Sequence, residues 1–148
     1  MARMQDRIVV VTGAANGLGR ATAIRLAQEG ASLVIGDIEA EALASPAAEI
    51  TALDRPVHTL VGDLTEPEAA ERLIETAISQ HGQIDGLVNN MGGSRNAKIW
   101  EMSIEDWDYT LRLNLRGTFL CTRFAAPHMM PRKSRGIPCL PSGSPEAT

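Results

Sequence analysis

A doubly wound α/β fold on a parallel sheet is the architecture this sequence predicts, and three observations carry it. The apolar run Ile8-Val9-Val10-Val11 enters a glycine turn, Thr12-Gly13-Ala14-Ala15-Asn16-Gly17-Leu18-Gly19, and leaves it as a helix-like segment from Arg20 to Glu29. Further apolar runs recur along the chain, each followed by a helical pattern. Those runs are apolar throughout rather than alternating, as strands covered on both faces must be.

The elements follow in order. Ser32-Leu33-Val34-Ile35-Gly36 reads as a second buried strand ending at Asp37. Helix signals resume from about Glu39 to Leu53, and Pro46 is expected to break or bend that segment near its middle. Pro56 precedes a short third strand, Val57 to Val61, which ends at Gly62-Asp63-Leu64. Thr65-Glu66-Pro67-Glu68 reads as a helix cap with proline and acids in the first turn. Ala70, Leu73, Ile74, Ala77 and Ile78 then repeat on one helical face, and Gly82 closes the helix. A fourth strand, Ile84 to Val88, delivers Asn89-Asn90-Met91-Gly92-Gly93. Ser103-Ile104-Glu105-Asp106 caps one long helix carrying Trp107, Leu111, Leu115 and Phe119 at four-residue steps, to about Met130.

From Pro131 to Thr148 the pattern changes. Where a fifth central strand is due, Ile137-Pro138-Cys139-Leu140-Pro141 offers two prolines three residues apart, and proline cannot donate to a sheet ladder. The expectation is therefore a Rossmann-type sheet over residues 1–130, incomplete at its C-terminal side, followed by an irregular tail over 131–148.

The bulk numbers exclude several classes. A chain of 148 residues, 44% hydrophobic, suits one core. A net charge of −4 gives no basic footprint for nucleic acid, and no stretch approaches the apolar length of a membrane span. The N-terminus lacks the apolar core of a signal peptide, and Cys121 and Cys139 show no metal or C-x-x-C spacing. Reduced thiols and a cytoplasmic location are expected.

The glycine turn carries the first piece of chemistry. Gly13 can take the tight turn, Gly17 can let a phosphate approach where a Cβ would collide, and Gly19 can let the helix lie close on the strand, with Asn16 and Leu18 between them in the candidate cofactor-binding set. The alternative is an ordinary glycine-rich turn. Asp37, at the tip of the second strand, can accept hydrogen bonds from both adenosine ribose hydroxyls and would repel a 2′-phosphate, which favours NAD over NADP. A strand-end acid facing water is the plainer reading. Asp63-Leu64 could hold an adenine amino group and pack its face, or could be a turn before a helix. Asn90 and Gly92, in Asn89-Asn90-Met91-Gly92, can tie neighbouring strands and leave backbone against a ribose, or form a plain Asn-Gly loop. Asn114 is polar within an apolar helix, where asparagine competes for backbone hydrogen bonds, so it faces solvent or has a task. Tyr109 stands at Tyr-x-x-x-Lys spacing with neither Lys98 nor Lys133 and reads as packing.

Taken in order, Thr12-Gly13-x-x-x-Gly17-x-Gly19, Asp63-Leu64, Asn89-Asn90-x-Gly92 and Asn114-Leu115 resemble the short-chain dehydrogenase/reductase family, over about residues 5 to 130. The resemblance implies a Rossmann sheet binding NAD(P), with hydride transfer between the nicotinamide and a small-molecule alcohol or ketone. The family's catalytic group is Asn, Ser, Tyr and Lys. Asn114 matches its asparagine, whose backbone carbonyl holds a water in a proton relay. Met91 stands where the family usually has alanine. The serine at the end of the family's fifth strand is represented at best by Ser142, and no Tyr-x-x-x-Lys occurs in the 148 residues. The resemblance thus implies a chain truncated after the Asn114 helix and inactive by itself. Full-length relatives are homo-oligomeric, and the Leu111, Leu115 and Phe119 face of that helix is expected to be left uncovered and to self-associate. The alternative is a non-catalytic dinucleotide-binding or interaction protein. A methyltransferase-like Rossmann domain draws no support from Asn89-Asn90-x-Gly92 or Asn114.

Overall fold

Among the described residues four strands line up side by side, all parallel, in the order β3-β2-β1-β4. The computed structural model describes residues 2–130; the predicted tail, with Cys139 and Ser142, lies outside them. The strands are β1 (Ile8–Thr12), β2 (Ser32–Asp37), β3 (Val57–Val61) and β4 (Gly86–Val88). Val10 of β1 stands beside Val34 of β2 and Leu87 of β4.

Successive side chains of a strand point to opposite faces, so a sheet covered twice needs apolar residues at every position. Val9, Val11, Leu33 and Ile35 pack with α1 (Gly17–Gln28) and α2 (Ala40–Ala52). Val10 and Val34 pack on the other face with α3 (Pro67–His81) and α5 (Gly117–Met129). Each large side chain sealed this way contributes about 1.5–3 kcal/mol. The expected α3 face is the buried one, with Ala70, Leu73, Ile74 and Ala77 inside and Ile78 partly covered. Gly82 ends that helix in the left-handed region at φ 75°, its N–H reaching the Ile78 carbonyl at 2.8 Å.

Four expectations are corrected. α2 runs through Pro46 without a break, because the ring is buried on the same side as Leu43 and Ile50. Burial of that face offsets the roughly 3 kcal/mol a helical proline costs. Thr65 does not cap α3: its N–H and hydroxyl donate to Asp63 Oδ1 at 2.9 and 2.6 Å, and Glu66 takes the cap position without a side-chain bond. β4 is shorter than Ile84–Val88, since the Asp85 carboxylate intercepts the Ile8 N–H at 2.8 Å and Arg7 at 2.9 Å where the ladder would begin. Among the described residues only β1 pairs with β4.

The long helix after β4 is also interrupted. Ser103 caps α4 (Ile104–Leu111) by accepting the Asp106 N–H at 3.0 Å, as its capping pattern predicts. Arg112–Arg116 then form one π-helical turn, closed by the Gly117 N–H on the Arg112 carbonyl five residues back, before α5 begins. Within this wide turn the side chains of Arg112 and Arg116 both reach Thr65, at 2.8 Å to its hydroxyl and 2.8 Å to its carbonyl. Single-turn π segments are a usual place for helices to re-aim functional groups. Leu115 and Phe119 remain 63% and 58% exposed.

Candidate functional site

Because β1 lies between β2 and β4, the loops after these strands part in opposite directions and leave a crevice at their C-terminal ends. A cleft of about 450 Å³ opens there, within the range of small-ligand sites. The β1–α1 turn supplies Gly13, Asn16, Gly17 and Leu18, the end of β2 supplies Asp37 and Glu39, and the loop after β4 supplies Asn90, Met91 and Gly92.

The three glycines of the turn have different surroundings. Gly13 has φ 64°, and a Cβ on it would lie 2.9 Å from Met91 Cα. Gly17 has φ 55°, and a Cβ on it would meet nothing within 4 Å, so its α-carbon borders open space. A Cβ on Gly19 would lie 2.8 Å from the Gly13 carbonyl carbon and closer still to its oxygen, which records how near α1 approaches the turn. The N-terminus of α1 has no side-chain cap and no acid in its first turn. Its leading amide donors thus lack a side-chain acceptor, the condition in which a helix start receives a phosphate. The residues present fit a dinucleotide.

Asn90 sews β4 to β1. Its side-chain amide donates to the Thr12 and Gly13 carbonyls at 3.2 and 2.9 Å, while Thr12 Oγ1 accepts the Asn90 and Met91 N–H groups, both at 3.1 Å. Asn89 reaches Thr122 of α5 instead, at 3.0 Å. Asp37 is half-buried and already accepts the Ala15 N–H at 2.9 Å and the Glu39 N–H at 3.2 Å. Each carboxylate oxygen keeps a further lone pair for a hydroxyl donor.

Asp63 and Leu64 do not line this cleft. Asp63 Oδ1 is taken by Thr65, and Oδ2 accepts from Arg112 at 2.6 Å, with Glu66 at 3.1 Å on the same guanidinium nitrogen. Burial works to raise its pKa, but the Thr65 and Arg112 bonds outweigh it and hold the carboxyl below the usual range. Leu64 is 1% exposed and abuts Gly36 and Leu73 in the core, so its side chain is not free to cover a base. Arg112 escaped sequence reasoning; the signal was its four-residue spacing from Arg116 on either side of Asn114.

Asn114 has a task, and the structure supplies it. Its Oδ1 accepts the Gly93 N–H at 3.3 Å, and its Nδ2 donates to the Gly93 carbonyl at 2.6 Å and the Thr110 carbonyl at 2.7 Å. The π-helical turn is thereby pinned to the loop after β4. The Asn114 carbonyl accepts the Thr118 hydroxyl at 2.9 Å. Tyr109 lies under the Arg95 guanidinium, 4.3 Å from ring centre to Cζ, and Arg95 pairs with Asp106 at 2.8 Å. Ser142 lies outside the described residues.

Glu39 and Met91 were also missed, although both follow directly from motifs already singled out. A larger groove of about 720 Å³ runs between α3 and α5 over Leu60, Ile74, Ile78 and Phe124. It adjoins neither the glycine turn nor the uncapped helix start, so the smaller cleft is the candidate site. Among the described residues no cluster of His, Cys, Asp and Glu could hold a metal, and no helix is long and apolar enough to cross a membrane.

Comparison with known proteins agrees with this geometry. A family model described as short chain dehydrogenase matches residues 7–137. A 3-oxoacyl-acyl-carrier-protein reductase of Thermotoga maritima is 36% identical over 135 residues, 91% of this chain and 55% of its own. Levodione reductase of Leifsonia aquatica is 42% identical over 122 residues, 80% of this chain and 45% of its own. The crystal structure of carveol dehydrogenase from Mycobacterium avium, in complex with NAD, superposes with a TM-score of 0.83 at 30% identity, covering 87% of this chain and 51% of that one. The chain spans about half the length of the curated relatives it matches.

Proposed function

The chain belongs to the short-chain dehydrogenase family, and on that premise we propose that it holds NAD(H) in the cleft after β1, β2 and β4, as the cofactor-binding part of an oxidoreductase acting on a small alcohol or ketone. One observation carries this reading: the uncapped start of α1 meets the bare α-carbon of Gly17 at the crevice where the strand order reverses. The amides of Gly17, Leu18 and Gly19 receive the pyrophosphate, and Gly13 and Asn16 shape the turn that presents them. Asp37 accepts the adenosine ribose hydroxyls, which favours NAD over NADP. Asp63 reaches the adenine only with the oxygen it shares with Arg112, and Leu64 only through its backbone. Asn90 fixes the loop whose Gly92 backbone approaches the second ribose.

A bound nicotinamide supplies the hydride acceptor or donor. Asn114 positions the Gly93 loop, and its carbonyl is the atom the family resemblance assigns to a proton relay. The 148 residues contain no Tyr-x-x-x-Lys. Acid–base assistance of that kind is typically worth about 10²–10⁴ in rate, so these residues alone bind cofactor without appreciable turnover. Cytoplasmic location and self-association through Leu111, Leu115 and Phe119 complete the proposal.

The test is titration of the purified 148-residue chain with NADH and NADPH, followed by nicotinamide fluorescence, and then an assay with secondary alcohols. NADPH binding as tight as NADH would overturn the role of Asp37. Robust NAD-dependent oxidation would overturn the catalytic assignment. A second reading, a non-catalytic dinucleotide binder, is favoured by the engagement of the single tyrosine with Arg95. Joining the chain in frame to the remaining half of levodione reductase separates the two: recovered turnover supports the enzymatic reading, and its absence the other.

A further inference from the structure

We propose that Glu39 is a second specificity-determining carboxylate of the nucleotide cleft, held over its mouth by Asn16, and that with Asp37 it excludes a 2′-phosphate. The inference rests on the reading of this cleft as a dinucleotide site. Glu39 lies two residues beyond Asp37, at the start of α2, and lines the same cleft. Two bonds fix it there. Its backbone N–H donates to Asp37 Oδ1 at 3.2 Å, and its Oε2 accepts from Asn16 Nδ2 at 3.0 Å. The second bond bridges the glycine turn to the β2–α2 connection, so the charge stays at the mouth instead of swinging into solvent.

Among the described residues neither acid is neutralised: no described lysine or arginine lines the cleft, and Arg20 on the first turns of α1 is engaged by Glu49 of α2. Among the described residues Glu39 and Asp37 form no ion pair with Lys, Arg or His. A 2′-phosphate carries about 1.5–2 negative charges. Asp37 is placed for the ribose itself, and Glu39 adds repulsion at the edge where the extra phosphate would project. NAD presents a hydroxyl donor there and is not repelled. At this exposed position the Coulomb term works through a water-like dielectric, so removing the Glu39 charge should improve NADPH binding by about five- to tenfold.

Two variants separate charge from tether. Glu39→Gln keeps an acceptor for the Asn16 amide and loses the charge, whereas Asn16→Ala keeps the charge and loses the tether. Dissociation constants for NADH and NADPH are measured on the 148-residue chain and both variants, at about 0.05 M and about 0.5 M salt. The expected result is a Kd ratio of NADPH to NADH that falls about five- to tenfold in Glu39→Gln at low salt. The change should be smaller at high salt, and smaller in Asn16→Ala than in Glu39→Gln. An unchanged ratio in Glu39→Gln, with NADH still bound by the parent chain, overturns the role of Glu39 and leaves the cleft assignment standing. Failure of the parent chain to bind either nucleotide overturns the cleft assignment, and the role of Glu39 with it.

Discussion

Replacing Gly19 with alanine should destabilise the fold by about 3 kcal/mol, and each contribution can be traced. The added Cβ would lie 2.8 Å from the Gly13 carbonyl carbon, and nearer still to its oxygen and to Asn90 Nδ2, where ordinary contact begins at 3.4 Å. The first two atoms are backbone and the third is tied to two carbonyls, so relief requires α1 to lift from the turn. Overpacking of this kind costs about 1–3 kcal/mol. A displaced Asn90 loses two bonds worth roughly 1 kcal/mol each. Alanine's better helix propensity returns about 1 kcal/mol, too little to change the sign. Gly17→Ala is the control: no atom lies within 4 Å of its Cβ, and only the left-handed backbone at φ 55° penalises it, by about 1–2 kcal/mol. In urea unfolding followed by circular dichroism, a slope of about 1–3 kcal/mol per molar puts the Gly19→Ala midpoint roughly 1–3 M below the parent chain, and the control about half as far. Equal midpoints for the two variants would refute the packing role assigned to Gly19.

Among the described residues His81 Nε2 is buried without a partner, and His58 stands edge-on with ring centres 5.3 Å apart. Burial first, and His58 second, hold the His81 pKa below its ordinary 6.5, so the unfolded chain takes up the proton first. Stability present above about pH 6.5 should be lost as pH falls below it, and His81→Leu should flatten that slope in thermal melts between about pH 8 and 5.5; a parent chain that melts independently of pH there would sink the argument. Burial pushes the Cys121 thiol up to about 11. In a Cys139→Ser background Cys121 should resist a disulfide reagent until urea unfolds the chain, and immediate labelling of the native protein would contradict its burial. Leu115→Lys and Phe119→Lys should shift a self-associating parent chain to monomer in sedimentation velocity, whereas a monomeric parent chain would remove that role from the exposed face.

Strand positions, and the glycine turn and strand-end acid that line one cleft, were legible because they rest on short, local rules: β-strand hydrophobicity, glycine at three spaced positions, and an acid at a strand end. What escaped depends on contacts between distant segments. Pro46 looked like a breaker because propensity does not register that its ring would be buried beside Leu43 and Ile50. β4 looked longer because nothing local says that Asp85 will take the Ile8 amide. Asp63 and Leu64 looked like a matched pair for adenine, yet one is claimed by Arg112 from 49 positions away and the other by the core. The π-helical turn has no local signature, since the bonds that tie it down are long-range ones: Arg112 and Arg116 reach the same threonine, and Asn114 reaches Gly93.

The position of β1 has a consequence for how the chain is made. Of the four described strands it is synthesised first, and it lies inside the sheet, with β2 on one side and β4 on the other. Its first neighbour arrives within about 20 residues, but the second is complete only at Val88, 76 residues after Thr12. At a synthesis rate of about 5–20 residues per second, one edge of the most buried strand stays without a partner for roughly 4–15 s. During that interval Val9, Val10 and Val11 present an apolar ladder edge that any exposed strand could join. Synthesis is therefore most vulnerable to mispairing before the loop after β4 has been made, and a holdase acting on chains that end short of Val88 would protect it at that stage.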